Sequence, residues 1–362
     1  MSRVGLLGVA TASPAHDLPQ AEAKAFAASF FADDPARDDL RLQKLLRSYD
    51  NAGVEHRQIG QPVSWLGEGR GFAEKNAAYT KHALSLSHAA GAEALERAGV
   101  DPSEVGAIIF ATSTGIATPS LDGRLIQSLG LPRDALRLPL WGLGCAGGGA
   151  ALARAIPLAR GLGKPVLVIA CELCSLTFVH GDRRDANLIA VALFGDGAAA
   201  CVVAPAPRWR ADADSESQGP ELLAPYARLL DDTEAIMGWD LEDQGLRVRF
   251  SPSIPSLVRE VAGGMLDEAA AAAGLSRAQL QHLVLHPGGR RVLDAYAEAL
   301  DATPEQLRHA QGVLRDHGNM SSPTVLFVLE RFLADPGSKR GQAGLLLALG
   351  PGFCAEGVSF RW

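Results

Sequence analysis

Short apolar runs alternate with alanine-rich helical stretches along this chain, and glycines mark many of the joins. The run Val4 to Ala10 reads as a first strand. Further on, Glu93 to Ala98 carries a helical pattern, Gly99 stops it, a polar turn follows, and Val105 to Ala111 is apolar enough for a buried strand. About 175 residues later the order recurs: Asp267 to Ala273 as helix, Gly274 as stop, Ser276 in the turn, and His282 to Leu285 as strand. The same offset carries the surroundings of Cys145 onto His317 to Pro323, each followed by a helix and then an apolar strand, Pro165 to Ala170 in one case and Ala343 to Leu349 in the other. The pattern therefore predicts an α/β protein made of two copies of one unit, 1–205 and 206–362. The Pro-, Ser- and acid-rich stretch Ala204 to Pro220 is the expected boundary. Two local expectations complete the picture: Phe26 to Arg57 as a charged helical insertion with a polar surface, and Leu193 to Ala200 as strand, tight turn, strand.

Chemistry enters at Leu143-Gly144-Cys145-Ala146-Gly147-Gly148-Gly149. A thiol set among glycines where a strand gives way to a helix has backbone N–H groups and a helix dipole facing it, and a substrate carbonyl can approach the backbone closely. A buried structural cysteine is the plain alternative for any such residue taken alone. The duplication changes that balance. Strand Ala107 to Thr112 corresponds to the strand that ends at His286, in His286-Pro287-Gly288-Gly289, and the Cys145 turn corresponds to the turn holding Asn319. Pseudo-twofold packing of the copies would then gather Cys145, His286 and Asn319 at matching corners, an arrangement suited to an active site.

Composition narrows the choice. The chain has 362 residues, 47% of them hydrophobic, so a large core is within reach, while a net charge of −7 and an aromatic content of 6% disfavour a nucleic-acid partner. The first apolar run is too short for a signal segment and no run reaches membrane-spanning length, so a cytoplasmic protein without stable membrane insertion is expected. Five cysteines, mostly in apolar runs, fit reduced thiols. Cys171-Glu172-Leu173-Cys174 has no second pair at metal-ligand spacing, and no glycine cluster has the form of a P-loop or dinucleotide site, so neither metal nor nucleotide cofactor is expected.

Taken together, Gly144-Cys145-Ala146-Gly147-Gly148, Glu172 with Leu176-Thr177-Phe178, Ala192 to Ala199 around Phe194-Gly195-Asp196-Gly197, His286-Pro287-Gly288-Gly289, Gly318-Asn319-Met320-Ser321-Ser322 and Gly350-Pro351-Gly352 resemble, in order and spacing, the type III polyketide synthases, the chalcone synthase-like branch of the thiolase-fold enzymes. The resemblance spans nearly the whole chain. It implies a duplicated five-layer αβαβα fold and a homodimeric acyltransferase that takes acyl-CoA and malonyl-CoA as substrates and needs no further cofactor. It also implies Cys145 as nucleophile with His286 and Asn319 as partners, the histidine ion-paired with the thiolate, and Phe194 as gatekeeper between coenzyme A tunnel and cavity. Cys174, Thr177, Val248 and Ser321 would belong to the cavity, and Thr118, before Pro119, would reach across the dimer interface. Lys44 and Arg47 match two phosphate-binding positions, whereas Asn51 stands at a third where chalcone synthase has lysine. Val248 at a second gatekeeper position and the Glu172 to Phe178 segment look more like the bacterial alkylpyrone and alkylresorcinol synthases, which implies a medium or long fatty acyl starter.

Two other activities fit part of the pattern. A ketoacyl-ACP synthase III shares the fold and triad but condenses once, and its histidine is usually followed by Gln-Ala-Asn rather than Pro287-Gly288-Gly289. A cysteine-dependent thioesterase or hydrolase would use Cys145 and His286 alone.

Overall fold

The computed structural model describes residues 2–32, 39–209, 219–335 and 341–362. The strands of the main sheet are β1 (Val4–Ala12), β4 (Ala107–Thr112), β5 (Leu136–Trp141), β6 (Val166–Leu173), β7 (Asp196–Pro205), β8 (Glu221–Leu229), β11 (Leu280–Leu285), β12 (Ala343–Gly350) and β13 (Cys354–Arg361). Two hairpins lie outside it: β2 (His16–Pro19) with β3 (His56–Ile59), and β9 (Met237–Glu242) with β10 (Gly245–Phe250). The helices are α1 (Gln20–Ala32), α2 (Asp39–Asp50), α3 (Val63–Gly67), α4 (Phe72–Ala98), α5 (Leu121–Ser128), α6 (Gly147–Leu162), α7 (Asp185–Leu193), α8 (Ile254–Ala272), α9 (Arg290–Leu300), α10 (Pro304–His317) and α11 (Thr324–Ala334).

Strand order in the nine-stranded sheet is β5-β4-β6-β7-β1-β8-β13-β12-β11. It reads almost identically from either end. β4 and β6 run parallel and β7 antiparallel to β6, as β11 and β12 run parallel and β13 antiparallel to β12. β1 closes the first series against β7 and β8 closes the second against β13, and the series meet where Gly5 pairs with Glu221. This is the duplication expected from the sequence. β5 alone has no counterpart.

α6 and α11 lie between the two halves of the sheet: α6 packs on β4, β6 and β7 and also on β8, β12 and β13, and α11 touches β1 and β7 as well as β11 and β12. α4 covers the outer face of the first half and α8 that of the second, giving five layers. Strands β6, β7 and β12 are buried along their whole length, which their near-continuous apolar sequences require. Ala83, Ala90 and Ala94 bring α4 close to Ile108, Phe110 and Ile169. Ala151, Ala155 and Ile156 of α6 share the central core with Val325 and Val328 of α11.

Two local expectations are corrected. Leu193 ends a helix, α7, rather than a strand: Leu188 and Ala192, four positions apart, are buried on one helical face. Arg57 lies on strand β3 and is only 1% exposed, not on a polar helix face. Of the expected linker, residues 210–218 lie outside the described residues. No described helix is long and apolar enough to cross a membrane.

Candidate active site

Cys145 occupies the 3₁₀ turn Gly144–Ala146 that leads into α6, and the fold around it depends on two glycines. Gly144 has φ +47°, and a Cβ there would come within 2.8 Å of the Pro351 ring. Gly148 lets α6 approach the turn after Asn319: a Cβ would lie 2.2 Å from the Ser322 carbonyl oxygen. The first turn of α6 is thereby seated directly on the segment that carries Asn319 and Ser321.

The approach brings the two halves of the chain into contact. Cys145 Sγ is 3.9 Å from both Oδ1 and Nδ2 of Asn319. Oδ1 accepts from the Ser321 backbone N–H at 2.8 Å, and Nδ2 donates to Gly288 O at 3.2 Å. The Ser321 N–H fixes which end of the amide is which, so Asn319 offers N–H toward the space between Cys145 and the His286 loop. Gly288 N in turn donates to His286 O at 3.1 Å, tying the histidine strand end to the same point. Ser321 holds φ +60°, a left-handed conformation costly for a side chain other than glycine and typical of functional sites.

His286 is buried, and neither of its ring nitrogens has a hydrogen-bond partner among the described residues. Burial pushes its imidazole down to about 3. Burial also pushes the Cys145 thiol up to about 11, against opposing hydrogen bonds from Ser321 and Asn319. Both shifts come from burial and favour the uncharged forms. No described acceptor is bonded to either ring nitrogen of His286.

Glu172 organises the surroundings. Its buried carboxylate accepts from Ser113 N (2.9 Å), Ser113 Oγ (2.9 Å), Thr114 Oγ1 (2.7 Å) and Ser322 Oγ (2.9 Å). It joins the end of β4 to the residue next to Ser321 across the two copies. Asp196 does similar work at the start of β7, accepting from Gly60 N at 2.7 Å and Ser175 N at 2.8 Å. Neither role was visible in the pattern, because their donors are backbone groups and hydroxyls scattered along the sequence.

A narrow cavity is lined by Phe194, Val248, Cys174 and Thr177, together with Phe26, Arg57 and others of mainly apolar character. Ser321 is buried beside Asn319 and is not part of that lining. Thr118 is exposed, before the cis-Pro119. It is flanked by residues that line a separate surface hollow, among them Ile116, Ala117, Ser120 and Trp141. Lys44 and Arg47 lie exposed on α2, and neither forms an ion pair with a described residue. α2 meanwhile buries Leu45 and Tyr49, the latter donating to Leu188 O of α7 at 2.9 Å.

Comparison with known proteins gives the family to which this fold belongs. Residues 3–207 match the N-terminal domain model of the chalcone and stilbene synthases and residues 221–362 the C-terminal domain model. A 1,3,6,8-tetrahydroxynaphthalene synthase of Streptomyces peucetius subsp. caesius is 37% identical over 98% of this chain and 92% of its own. A phloroglucinol synthase of Pseudomonas fluorescens Pf-5 is 30% identical over 96% of each. The crystal structure of the 1,3,6,8-tetrahydroxynaphthalene synthase from Streptomyces coelicolor A3(2), a bacterial type III polyketide synthase, superposes with a TM-score of 0.90 at 30% identity over 99% of both chains. A duplicated thiolase-type fold, a cysteine and an asparagine brought together from its two halves, and matches along nearly the whole length place this chain in the chalcone and stilbene synthase family, as an acyl-transferring type III polyketide synthase.

Proposed function

We propose that the two halves, 1–205 and 206–362, form one site in which Cys145 takes a medium or long fatty acyl group from coenzyme A and extends it repeatedly with malonyl-CoA to an alkylpyrone or alkylresorcinol. The observation that carries the reading is the Cys145–Asn319 contact, with the Asn319 backbone bridged to Phe194, which lines a largely apolar cavity. His286 accepts the thiol proton as Sγ attacks the starter thioester, which suits a pair that rests neutral, and coenzyme A leaves as its thiol. Malonyl-CoA then loses carbon dioxide, and its bond electrons become an enolate whose oxygen accepts hydrogen bonds from His286 and Asn319 Nδ2. The enolate carbon attacks the acyl-Cys145 carbonyl, the Sγ–acyl bond breaks, and return of the lengthened chain to Cys145 starts the next round. No base is required at carbon, because decarboxylation makes the nucleophile.

Lys44 and Arg47, exposed on α2, suit the phosphates of coenzyme A. Thr118, exposed beside Ile116 and Trp141, suits a surface covered by a second copy of the chain. The relatives support a second reading of the starter: the tetrahydroxynaphthalene and phloroglucinol named for them are hydroxylated aromatics without an alkyl tail, which fits a chain primed by malonyl-CoA itself.

A ladder of acyl-CoA starters with malonyl-CoA, products read by mass spectrometry, tests the reading. Products holding a fatty acyl group and two or more acetate units support it, and a Val248→Phe variant should move the preferred starter toward shorter chains. Products made from malonyl-CoA alone, indifferent to the starter, would establish the second reading. Acyl plus one acetate unit, or free acid only, would overturn both.

A further inference from the structure

Arg57 is a fully buried cation on β3, and it lines the substrate cavity. Its Nη1 donates to Val191 O in the last turn of α7, the helix that ends just before Phe194. Nε and Nη2 are buried and have no partner among the described residues. No described carboxylate pairs with this guanidinium. Burial lowers it to about 10, which leaves it charged at neutral pH. A buried charge without a counter-charge is costly, and two unmade hydrogen bonds add to that cost.

Elsewhere in the chain the same Nε/Nη2 edge has an occupant. Arg3 sets it on the two oxygens of Glu221, Arg137 on those of Asp122, and Arg277 on those of Asp267. The fork matches a planar group with two oxygens. Position adds to the case, since the Arg57 Cβ lies 3.1 Å from where a Gly195 Cβ would stand and 3.6 Å from that of Gly318. Those glycines adjoin Phe194 and Asn319, so Arg57 leaves the backbone beside the segments that carry both residues and reaches the cavity that Phe194 lines.

We propose that the Nε/Nη2 edge of Arg57 binds a planar two-oxygen anion on the acyl group held in the cavity, and so selects which starter or intermediate is retained. The proposal rests on the cavity receiving the acyl chain, as in the proposed function. Two sources carry that chemistry: the terminal carboxylate of a dicarboxylic acyl-CoA, and a 1,3-dicarbonyl of the growing chain, which yields one carbon-bound proton to solvent and becomes an enolate beside the cation.

Two arms separate the sources. In the first, glutaryl-CoA and pentanoyl-CoA, equal in length, compete to acylate Cys145, read by intact-protein mass. In the second, calorimetry of pentane-2,4-dione and of pentan-2-one in buffers of different ionisation heat reports proton release on binding. The wild-type protein should prefer the anion in at least one arm, and Arg57→Gln or Arg57→Lys should reduce that preference about 10- to 100-fold. Preference for glutaryl-CoA assigns the edge to a carboxylate, and proton release with the dione assigns it to the growing chain. If pentanoyl-CoA loads and the wild-type protein favours neither anion, or if the preference survives in a folded Arg57→Gln variant, the assignment is overturned while the proposed function stands. If pentanoyl-CoA does not load at all, the acyl-cavity reading itself fails.

Discussion

Cys145 Sγ and the side-chain amide of Asn319 lie 3.9 Å apart although 174 positions separate them in the chain. The contact joins the two copies of the fold at the N-terminus of α6. Because the Ser321 N–H holds the amide oxygen, the role proposed for Asn319 rests on its N–H. An Asn319→Ala variant should therefore still accept an acyl group on Cys145 but lose malonyl-CoA decarboxylation by about 100-fold or more, as expected when a donor to a developing oxyanion is removed. Acyl loading by intact mass and carbon dioxide release from labelled malonyl-CoA measure the two steps separately.

The pH behaviour follows from burial. A thiol raised to about 11 holds little thiolate near neutrality, and an imidazole lowered to about 3 carries no charge there. Inactivation by iodoacetamide should rise continuously with pH and show no plateau below about pH 9. His286→Ala should leave that profile nearly unchanged while abolishing condensation. A plateau near pH 6 or 7, lost in His286→Ala, would show instead that an ion pair is already formed at rest.

The basic face of α2 gives a prediction with a built-in control. Lys44→Ala and Arg47→Ala should each raise KM for coenzyme A thioesters about 3- to 10-fold, with a smaller effect at high salt. N-acetylcysteamine thioesters, which lack the phosphates, should show no change. Equal losses on both substrate types would mean that α2 acts on the fold of α7 rather than on the ligand.

Gly148 tests how the halves are held together. Its Cβ position is 2.2 Å from the Ser322 carbonyl oxygen, which is backbone and cannot rotate away. Gly148→Ala should cost about 3 kcal/mol of stability and displace the Asn319 turn, lowering activity in the protein that remains folded. Thermal unfolding and condensation rate together check it, and an unaltered melting temperature would contradict the packing described.

Much of this was legible in the sequence for a physical reason. The repeat shows because each copy needs the same helix stop, polar turn and buried strand, so β4 with β11 and β6 with β12 keep nearly the same offset. Cys145, His286 and Asn319 show because each stands at a corner with glycine close by. What the sequence hid was long-range burial. Arg57 reads as one more basic residue near a polar helix, and only the β2–β3 hairpin shows it turned inward beneath α7. Glu172 similarly reads as the charged end of an apolar run, and its role depends on Ser113, Thr114 and Ser322 arriving from both copies. The helix α7 was hidden because Leu188 to Leu193 is continuously apolar, leaving no period to separate helix from buried strand.

The most direct test follows one cysteine through a full cycle. Purified protein is loaded with an acyl-CoA, its intact mass and the peptide containing Cys145 are measured, and malonyl-CoA is then added while the same peptide is followed. The starter should appear on Cys145, give way to species longer by successive acetate units, and be absent from Cys145→Ala. A starter that never attaches to Cys145, or that leaves only as free acid when malonyl-CoA arrives, would contradict the account.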